Sequence, residues 1–190
     1  MGFKGATVLD PQVGFHDAPV AVLDFASLYP SIIRAELICF TTVVMNPEKY
    51  GAVEGYTYKN VTIPAMGTYT FAEGGVSAED TVIPSLLTSL LQARKEARKK
   101  GALALERGDA WQAALYDAQQ LAYKVSANSV YGGLGATFSA LSYPPLAAAV
   151  TTIGRGMLEL AGKTVVQWYP SASVVYGAFQ SFSFAVVSSP

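Results

Sequence analysis

Residues 20–31 read VAVLDFASLYPS, and this stretch decides how the chain begins to fold. The apolar run before Asp24 is typical of a strand, whereas Tyr29 and Pro30 suit the first turn of a helix. The junction therefore places one carboxylate at the end of a strand, beside free backbone N–H groups. Such a place can hold a divalent metal and a phosphate together, because carboxylate oxygens bind the metal and N–H groups bind the anion.

Composition supports a folded chain and excludes several classes of site. The 190 residues are 51% hydrophobic and 14% charged, which argues for a sizeable core and against disorder. The net charge of −1 gives no support to nucleic-acid binding, although a local basic face would be sufficient for it. Cys39 and His16 are the chain's single cysteine and histidine, so it can build neither a disulfide framework nor a Cys/His zinc site. We expect a reducing, intracellular setting, with Cys39 as a small core residue.

Two segments need to be distinguished from targeting and membrane signals. Residues 1–18 are broken by Gly, Asp and Pro and do not read as a signal peptide. Residues 164–190 carry no Asp, Glu, Lys or Arg, but Pro170 and many serines interrupt apolar runs that are too short to span a bilayer. We interpret this segment as strands and expect no membrane partner.

Hydrophobic periodicity predicts a mixture of strands and helices. The clearest helix is capped by Ser85 and ends near Gly108, and a second runs from about Asp109 to Tyr131. Because the break between them is so short, these helices should pack as antiparallel neighbours. The remaining predictions are two strands with a turn in 5–25, a short helix at 31–36, a strand at 40–45, loops with brief strands at 46–82, a loop at 132–145, a third helix at 146–169, and strands at 174–176 and 182–186.

Cationic side chains cluster on the first of the two paired helices. Arg94 and Arg98 lie one turn apart and point the same way. On the second helix Lys124, Asn128 and Tyr131 also share a face. A hairpin could bring both faces to one anionic ligand, and fixed cations on rigid helices suit a triphosphate. A solvated helix face explains the cluster as well, and it is the favoured explanation where the cluster is considered alone.

The end of the second helix carries a more specific signal. Residues 124–133 read KVSANSVYGG, so the helix ends on Tyr131 and two glycines. Backbone without side chains can approach a large flat partner such as a base pair. An aromatic residue followed by a glycine stop is also a frequent helix ending, and it explains the same residues without a ligand.

Taken together, these segments resemble the family B DNA polymerases, in particular the delta-type and large-DNA-virus members. Residues 24–31 resemble the family's motif A, residues 124–132 match its motif B, and residues 90–95 resemble the first helix of its fingers. Residues 5–9 and 151–155 also fit the family pattern. The order and spacing of the matches run through most of the chain.

The resemblance implies an α+β fold, in which an antiparallel palm sheet is backed by helices and a helical hairpin is inserted as fingers. It divides the chain into a first palm part (1–57), fingers with connecting loops (58–131) and a second palm part (132–190). The implied activity is template-directed deoxynucleotidyl transfer to a primer 3′-OH, in a nucleus or at a viral replication site if the source is eukaryotic or viral. We expect a fragment without a proofreading domain or thumb, so a processivity factor would bind through regions outside it.

In the palm, the resemblance assigns roles to residues of motif A. Asp24 would bind catalytic Mg²⁺ in a two-metal site, with help from the Phe25 backbone carbonyl. Ser27 and Leu28 would offer backbone N–H groups to the deoxynucleoside triphosphate. Tyr29 would lie against the incoming sugar and exclude a 2′-OH, although a half-buried aromatic before a helix is the better explanation when motif A is disregarded.

In the fingers, the resemblance assigns the triphosphate to four polar side chains. These are Arg94, Arg98, Lys124 and Asn128. The family more often has Lys where Arg98 stands, which keeps the charge and changes its geometry. Tyr131 and Gly132 would pack beside the nascent base pair, in contact with the primer–template DNA.

The chain departs from the family at motif C, which reads Tyr-Gly-Asp-Thr-Asp-Ser. Ala178 and Gln180 stand at the two aspartate positions. Two-metal phosphoryl transfer needs anionic oxygens on both sides of the metals, and a neutral amide is a poor substitute. We therefore predict that the chain does not polymerise, and a frameshifted or mis-spliced tail, or the end of a partial gene, would explain residues 178–190. Residues 36–37 also depart, because His- or Asn-type residues are usual there.

Two other functions stay open on the sequence alone. The first is a non-catalytic module that binds nucleotide or primer–template through its basic fingers, and salt-dependent DNA binding without extension would identify it. The second is a domain without a ligand, or a gene remnant, whose melting would not respond to a deoxynucleoside triphosphate with Mg²⁺.

Overall fold

The computed structural model describes residues 8–50, 53–178 and 181–186. Six strands and five helices follow one another within these residues. In chain order they are β1 (Val20–Asp24), α1 (Leu28–Ala35), β2 (Val43–Val44), α2 (Pro47–Tyr50), β3 (Thr57–Ile63), β4 (Gly67–Gly74), α3 (Val82–Glu106), α4 (Ala110–Gly135), α5 (Pro144–Trp168), β5 (Ala172–Ala178) and β6 (Ser181–Val186). The predicted α+β class, with an antiparallel sheet, helices and a helical hairpin formed by α3 and α4, is confirmed.

The strands form two antiparallel sheets of three strands each. One has the order β1-β6-β5 and the other β2-β4-β3. Of the two strands predicted in residues 5–25, β1 forms, whereas Val8 makes only an isolated bridge to Ala178 on the far side of β5. There the Leu9 N–H donates to the Gly177 carbonyl at 2.6 Å. The hairpin of β5 and β6 is thus bracketed by β1 on one side and by the segment around Val8 on the other.

Helix α1 lies at the centre of the apolar core. Leu28, Ile32 and Ile33 are 2%, 2% and 0% exposed, and α3, α4 and α5 all pack against the helix. The helix begins at Leu28, earlier than the predicted start at residue 31, because Tyr29 and Pro30 already belong to its first turn. Its N-terminal end is therefore held in place by three helices.

Close contact between α1 and α5 depends on Gly154. A Cβ at this position would lie 3.4 Å from Ile32 Cδ1, 3.6 Å from Tyr29 and 3.7 Å from Leu28. One methyl group therefore fits, and a larger side chain does not. On the same helix, a Cβ at Gly156 would meet no atom within 4 Å.

Replacement of Gly154 by leucine is expected to lower the free energy of unfolding by about 1–3 kcal/mol, because the added branch overpacks the contact with α1. Gly154→Ala should be neutral or slightly stabilising, since it removes a helix-interior glycine without a clash. Gly156→Leu is the matched control and should not destabilise. Urea unfolding of the three variants checks this, and equal losses for both leucine variants would contradict it.

Residues 46–82 contain a regular β-hairpin where the sequence predicts loops with brief strands. β3 and β4 are seven and eight residues long and pair antiparallel. Their Thr, Tyr, Val and Ile residues fit a pleated, half-buried surface, and Pro64 falls in the turn between them. The Met66 N–H donates to the Ile63 carbonyl at 3.1 Å and closes that turn. The strand predicted at 40–45 shortens to β2, which pairs with β4.

Helix α4 continues past Tyr131 to Gly135, so the predicted helix end at Tyr131 and the predicted loop from residue 132 are wrong. Leu134 is fully buried in the core, and Val130 is 9% exposed. Each helix-interior glycine disfavours the helix by about 1 kcal/mol, and burial of a leucine contributes about 1.5–3 kcal/mol. The buried face therefore outweighs the glycines that follow Tyr131.

Helix α3 also starts earlier than predicted, at Val82. Ser85 is not the cap, because its N–H already donates to the Thr81 carbonyl at 3.2 Å inside the helix. The Thr81 hydroxyl donates to the Ala78 carbonyl at 2.7 Å and turns away from the helix N-terminus. The start is fixed by tertiary packing, since Ile83 and Leu87 are both buried.

Cys39 takes the role that the sequence predicts, and the uncharged C-terminal segment does so from residue 172, whereas residues 164–168 complete α5. Cys39 is 0% exposed, and its sulfur accepts the Ile83 N–H at 3.4 Å, which confirms a core residue. Strands β5 and β6 occupy the segment from residue 172, while residues 179–180 and 187–190 lie outside the described residues. Within the described part of the chain, no helix combines the length and apolarity needed to cross a membrane.

Candidate functional site

Asp24 ends β1 with an exposed side chain, next to the hairpin of β5 and β6. In register it lies opposite Ser181 of β6, and Ser181 lies opposite Ala178 of β5. Neighbouring strands are about 4.8 Å apart, so the Asp24 and Ala178 backbones lie about 10 Å apart across β6. The carboxylate is therefore accessible, and it lies one strand away from the hairpin strand that carries Ala178, where the resemblance implies an aspartate of motif C.

Ala178 lies across β6 from Asp24 and offers no anionic oxygen, because its side chain is a methyl group. Gln180 lies outside the described residues. The side chain of Phe25 packs partly buried against the core. A phenyl ring has no ligand atom, so this residue could offer a metal only its backbone carbonyl. Among the residues that the structure describes, no group of three or more His, Cys, Asp or Glu could hold a metal ion. This donor set does not fit a resident two-magnesium centre, which needs several anionic oxygens.

Ser27 forms the turn between Asp24 and α1. It adopts a left-handed backbone with φ 49° and ψ 53° at the N-cap position, and its carbonyl accepts the Ser31 N–H at 2.9 Å. The N–H groups of Ser27 and Leu28 precede this first helical bond and donate to no acceptor within the described residues. Unpaired N–H groups at the start of a helix form a ready site for an anion.

Tyr29 and Tyr131 form an aromatic pair between α1 and α4. Their ring centroids lie 4.1 Å apart, with the planes tilted by 49°. Burial raises the pKa of Tyr29 far above its ordinary value, and the charge of Tyr131 and a hydrogen bond with its hydroxyl raise it further, while Arg155 acts in the opposite direction. Burial also raises the pKa of Tyr131. Both hydroxyls therefore stay protonated at neutral pH, and the pair forms an uncharged wall.

Arg94 connects α3 to the turn at Ser27. Its Nη1 donates to Ser27 Oγ at 3.4 Å, and its Nε donates to Gln120 Oε1 of α4 at 3.3 Å. The side chain is half-buried. A guanidinium from the helical hairpin is thus held beside the unpaired N–H groups at the start of α1.

Arg98 lies one turn beyond Arg94, beside a groove of about 360 Å³. The residues that line this groove are Leu91, Arg94, Lys95, Arg98 and Lys99. Its polar lining is therefore entirely cationic, which favours an anionic ligand. Glu96, on another side of the helix, accepts a hydrogen bond from Gln92 Nε2 at 3.0 Å.

Lys124 and Asn128 lie exposed on α4, one and two turns beyond Gln120. Neither side chain makes a hydrogen bond or ion pair with another of the described residues. Gly132 lies one turn further, and a Cβ there would meet no atom within 4 Å. The structure thus brings Arg94 to the Ser27 turn and leaves the more distant groups of α4 open to solvent.

Gln120 and Asp117 belong to this site and were not singled out from the sequence. Gln120 Nε2 donates to Asp117 Oδ1 at 3.0 Å, while its carbonyl oxygen accepts from Arg94. The four-residue spacing of Gln120, Lys124 and Asn128 places them on one stripe of α4 and is the signal that could have found Gln120. The arrangement presents N–H donors and one fixed cation, Arg94, to an anion, together with one accessible carboxylate.

Residues 1–184 of this chain match the model of DNA polymerase family B. A DNA polymerase of Paramecium bursaria Chlorella virus NY2A is 41% identical over 177 residues, which cover 92% of this chain and 19% of that protein. The DNA polymerase delta catalytic subunit of Caenorhabditis elegans is 38% identical over 186 residues, covering 93% of this chain and 16% of that protein.

The fold has a solved counterpart in the family B DNA polymerase from the archaeon Pyrobaculum calidifontis. The two superpose with a TM-score of 0.67 at 27% identity, covering 96% of this chain and 22% of that one. The chain therefore belongs to DNA polymerase family B. It spans about a fifth of the length of these relatives, at 19%, 16% and 22%.

Proposed function

We propose that this chain forms the palm and fingers part of a DNA-directed DNA polymerase and binds a deoxynucleoside triphosphate against primer–template DNA. The observation that carries the proposal is the contact between Arg94 and Ser27 at 3.4 Å. It joins a cation of the helical hairpin to the anion site at the start of α1. Electrostatic capture of a triphosphate needs this kind of fixed, convergent positive group.

Each side chain of the site then has a proposed role. The N–H groups of Ser27 and Leu28 hold phosphate oxygens, and Tyr29 faces the sugar. Asp24 offers its carboxylate to the Mg²⁺ that accompanies the triphosphate. The cationic and amide groups that hold the triphosphate from the fingers side are Arg94, Arg98, Lys124 and Asn128.

The other proposed contacts lie beside the nascent base pair. Tyr131 packs on Tyr29, which supports a shared wall for the base and the sugar. The open space at Gly132 supports close approach of a flat partner. We propose residues 1–57 and 132–190 as palm and residues 58–131 as the segment that carries the fingers. Viral and eukaryotic relatives support a nuclear or viral replication site.

We further propose that the chain binds these ligands without extending a primer. The methyl group of Ala178 stands where the family has a carboxylate, and the described residues do not fit a resident pair of metals. The observed side chains thus favour a module that binds nucleotide and primer–template DNA but does not catalyse extension.

Two assays with the full chain test this function. Addition of dTTP with Mg²⁺ is expected to raise Tm, because a ligand that binds only the folded state stabilises it. Primer extension with all four deoxynucleotides is expected to give no product beyond an Asp24→Asn control. Extension above that control would refute inactivity, and an unchanged Tm at millimolar dTTP would refute nucleotide binding and favour a gene remnant.

A further inference from the structure

The group that holds Arg94 from the side of α4 has no assigned role. Arg94 Nε donates to Gln120 Oε1 at 3.3 Å, and Gln120 Nε2 donates to Asp117 Oδ1 at 3.0 Å. On its other side, Arg94 Nη1 donates to Ser27 Oγ at 3.4 Å. The four side chains form one chain of hydrogen bonds that runs from α4 through α3 to the turn before α1.

The two partners of Gln120 leave a single orientation for its amide group. A guanidinium has only N–H donors, whereas an ionised carboxylate has only acceptors. In the reversed orientation, Gln120 would set its NH₂ group against Arg94 and its carbonyl oxygen against Asp117. Both hydrogen bonds would be lost together, so the pair of neighbours fixes the amide and the amide fixes the guanidinium.

The position of Gln120 between α3 and α4 allows its hydrogen bond with Arg94 to affect ligand binding. Gln120 is half-buried between the two helices, whereas the neighbouring Gln119 is exposed. Arginine carries much rotamer freedom, and each side chain that is ordered only on binding reduces the affinity. A guanidinium already held at Nε keeps its terminal nitrogens directed at the Ser27 turn.

We propose that Gln120, oriented by Asp117, is a positioning residue that presents Arg94 to the triphosphate. It acts through Arg94 and is not itself a ligand of the nucleotide. This inference rests on the proposed function, because it requires that Arg94 binds the triphosphate.

A double-mutant cycle in the full chain tests the inference. Gln120→Ala, Arg94→Ala and the double variant are titrated with dTTP and, separately, with inorganic tripolyphosphate, both with Mg²⁺. Gln120→Ala is expected to weaken both ligands by about tenfold and to add almost nothing in the Arg94→Ala background. Gln119→Ala is the matched control and should leave both affinities unchanged.

Gln120→Met separates positioning from packing, since methionine has nearly the volume of glutamine but offers Arg94 Nε no oxygen acceptor. A packing role predicts unchanged affinity, whereas positioning predicts weaker binding, because Arg94 loses the acceptor that holds it. Melting of each variant confirms that it is folded. If Arg94→Ala weakens binding and both Gln120 variants do not, this inference alone is wrong. If the unmodified chain binds neither anion, the inference and the proposed function fail together.

Discussion

The Ala178→Asp, Gln180→Asp double variant is expected to bind Mn²⁺ about 100-fold more tightly than the unmodified chain, because cation affinity rises steeply with the number of carboxylate ligands. Asp24 already stands exposed at the end of β1, in register through Ser181 with Ala178. The substitution puts a carboxylate at residue 178, across β6 from Asp24, and a second one at position 180 of the sequence. Electron paramagnetic resonance of free Mn²⁺ measures the change directly and does not depend on polymerase activity.

The control for this gain is the same variant with Asp24→Asn. It should lose most of the added affinity, since the site would then lack the carboxylate of β1. Without metal, the double variant should melt below the unmodified chain, because like charges are brought together, and Mn²⁺ should reverse that loss. Tight binding that persists in Asp24→Asn would show that the new carboxylates act without Asp24 and would contradict the arrangement described.

Arg94→Ala is expected to weaken dTTP binding by about 30- to 100-fold. Hydrogen bonds from a charged donor contribute about 1.5–3 kcal/mol, and arginine can make two of them to one phosphate. The dTTP affinity of Arg94→Lys should fall between those of the unmodified chain and Arg94→Ala, because lysine keeps the positive charge and loses the planar guanidinium. Fluorescence titration with a labelled nucleotide in the presence of Mg²⁺ measures the three dissociation constants.

Arg107→Ala supplies the matched control for the loss of one positive charge. Arg107 is exposed and lies at the C-terminal end of α3, at the tip of the hairpin. Its removal should change dTTP affinity by less than about twofold at physiological salt, because distant surface charges are screened. A similar loss for Arg107→Ala and Arg94→Ala would mean that net charge, and not the contact with Ser27, governs binding.

Local signals in the sequence were sufficient for the elements that carry the site. The strand before Asp24, the helix after Ser27 and the pairing of α3 with α4 follow from apolar runs, a proline and a short break. The turn of the chain at Ser27 could also be predicted, because it depends on neighbours in sequence. These features need no knowledge of distant contacts.

Features that depend on distant partners could not be predicted. Gln120 meets Arg94 across 26 residues, and Glu36 forms an ion pair with Lys59 across 23 residues. That pair gives Glu36 a structural role at a position where the family usually has other residues. Extension of α4 beyond Tyr131 has the same origin, because the buried Leu134 outweighs the local preference of the glycines.

At Ser27, a left-handed backbone lowers the stability of the fold, while the side chain supplies a hydroxyl to Arg94. A side chain disfavours that conformation by about 1–2 kcal/mol, whereas glycine adopts it without a steric penalty. Glycine would also remove the hydroxyl that Arg94 reaches at 3.4 Å. Stability alone would thus favour glycine here, whereas serine holds a strained backbone and supplies the hydroxyl through which α3 contacts the start of α1.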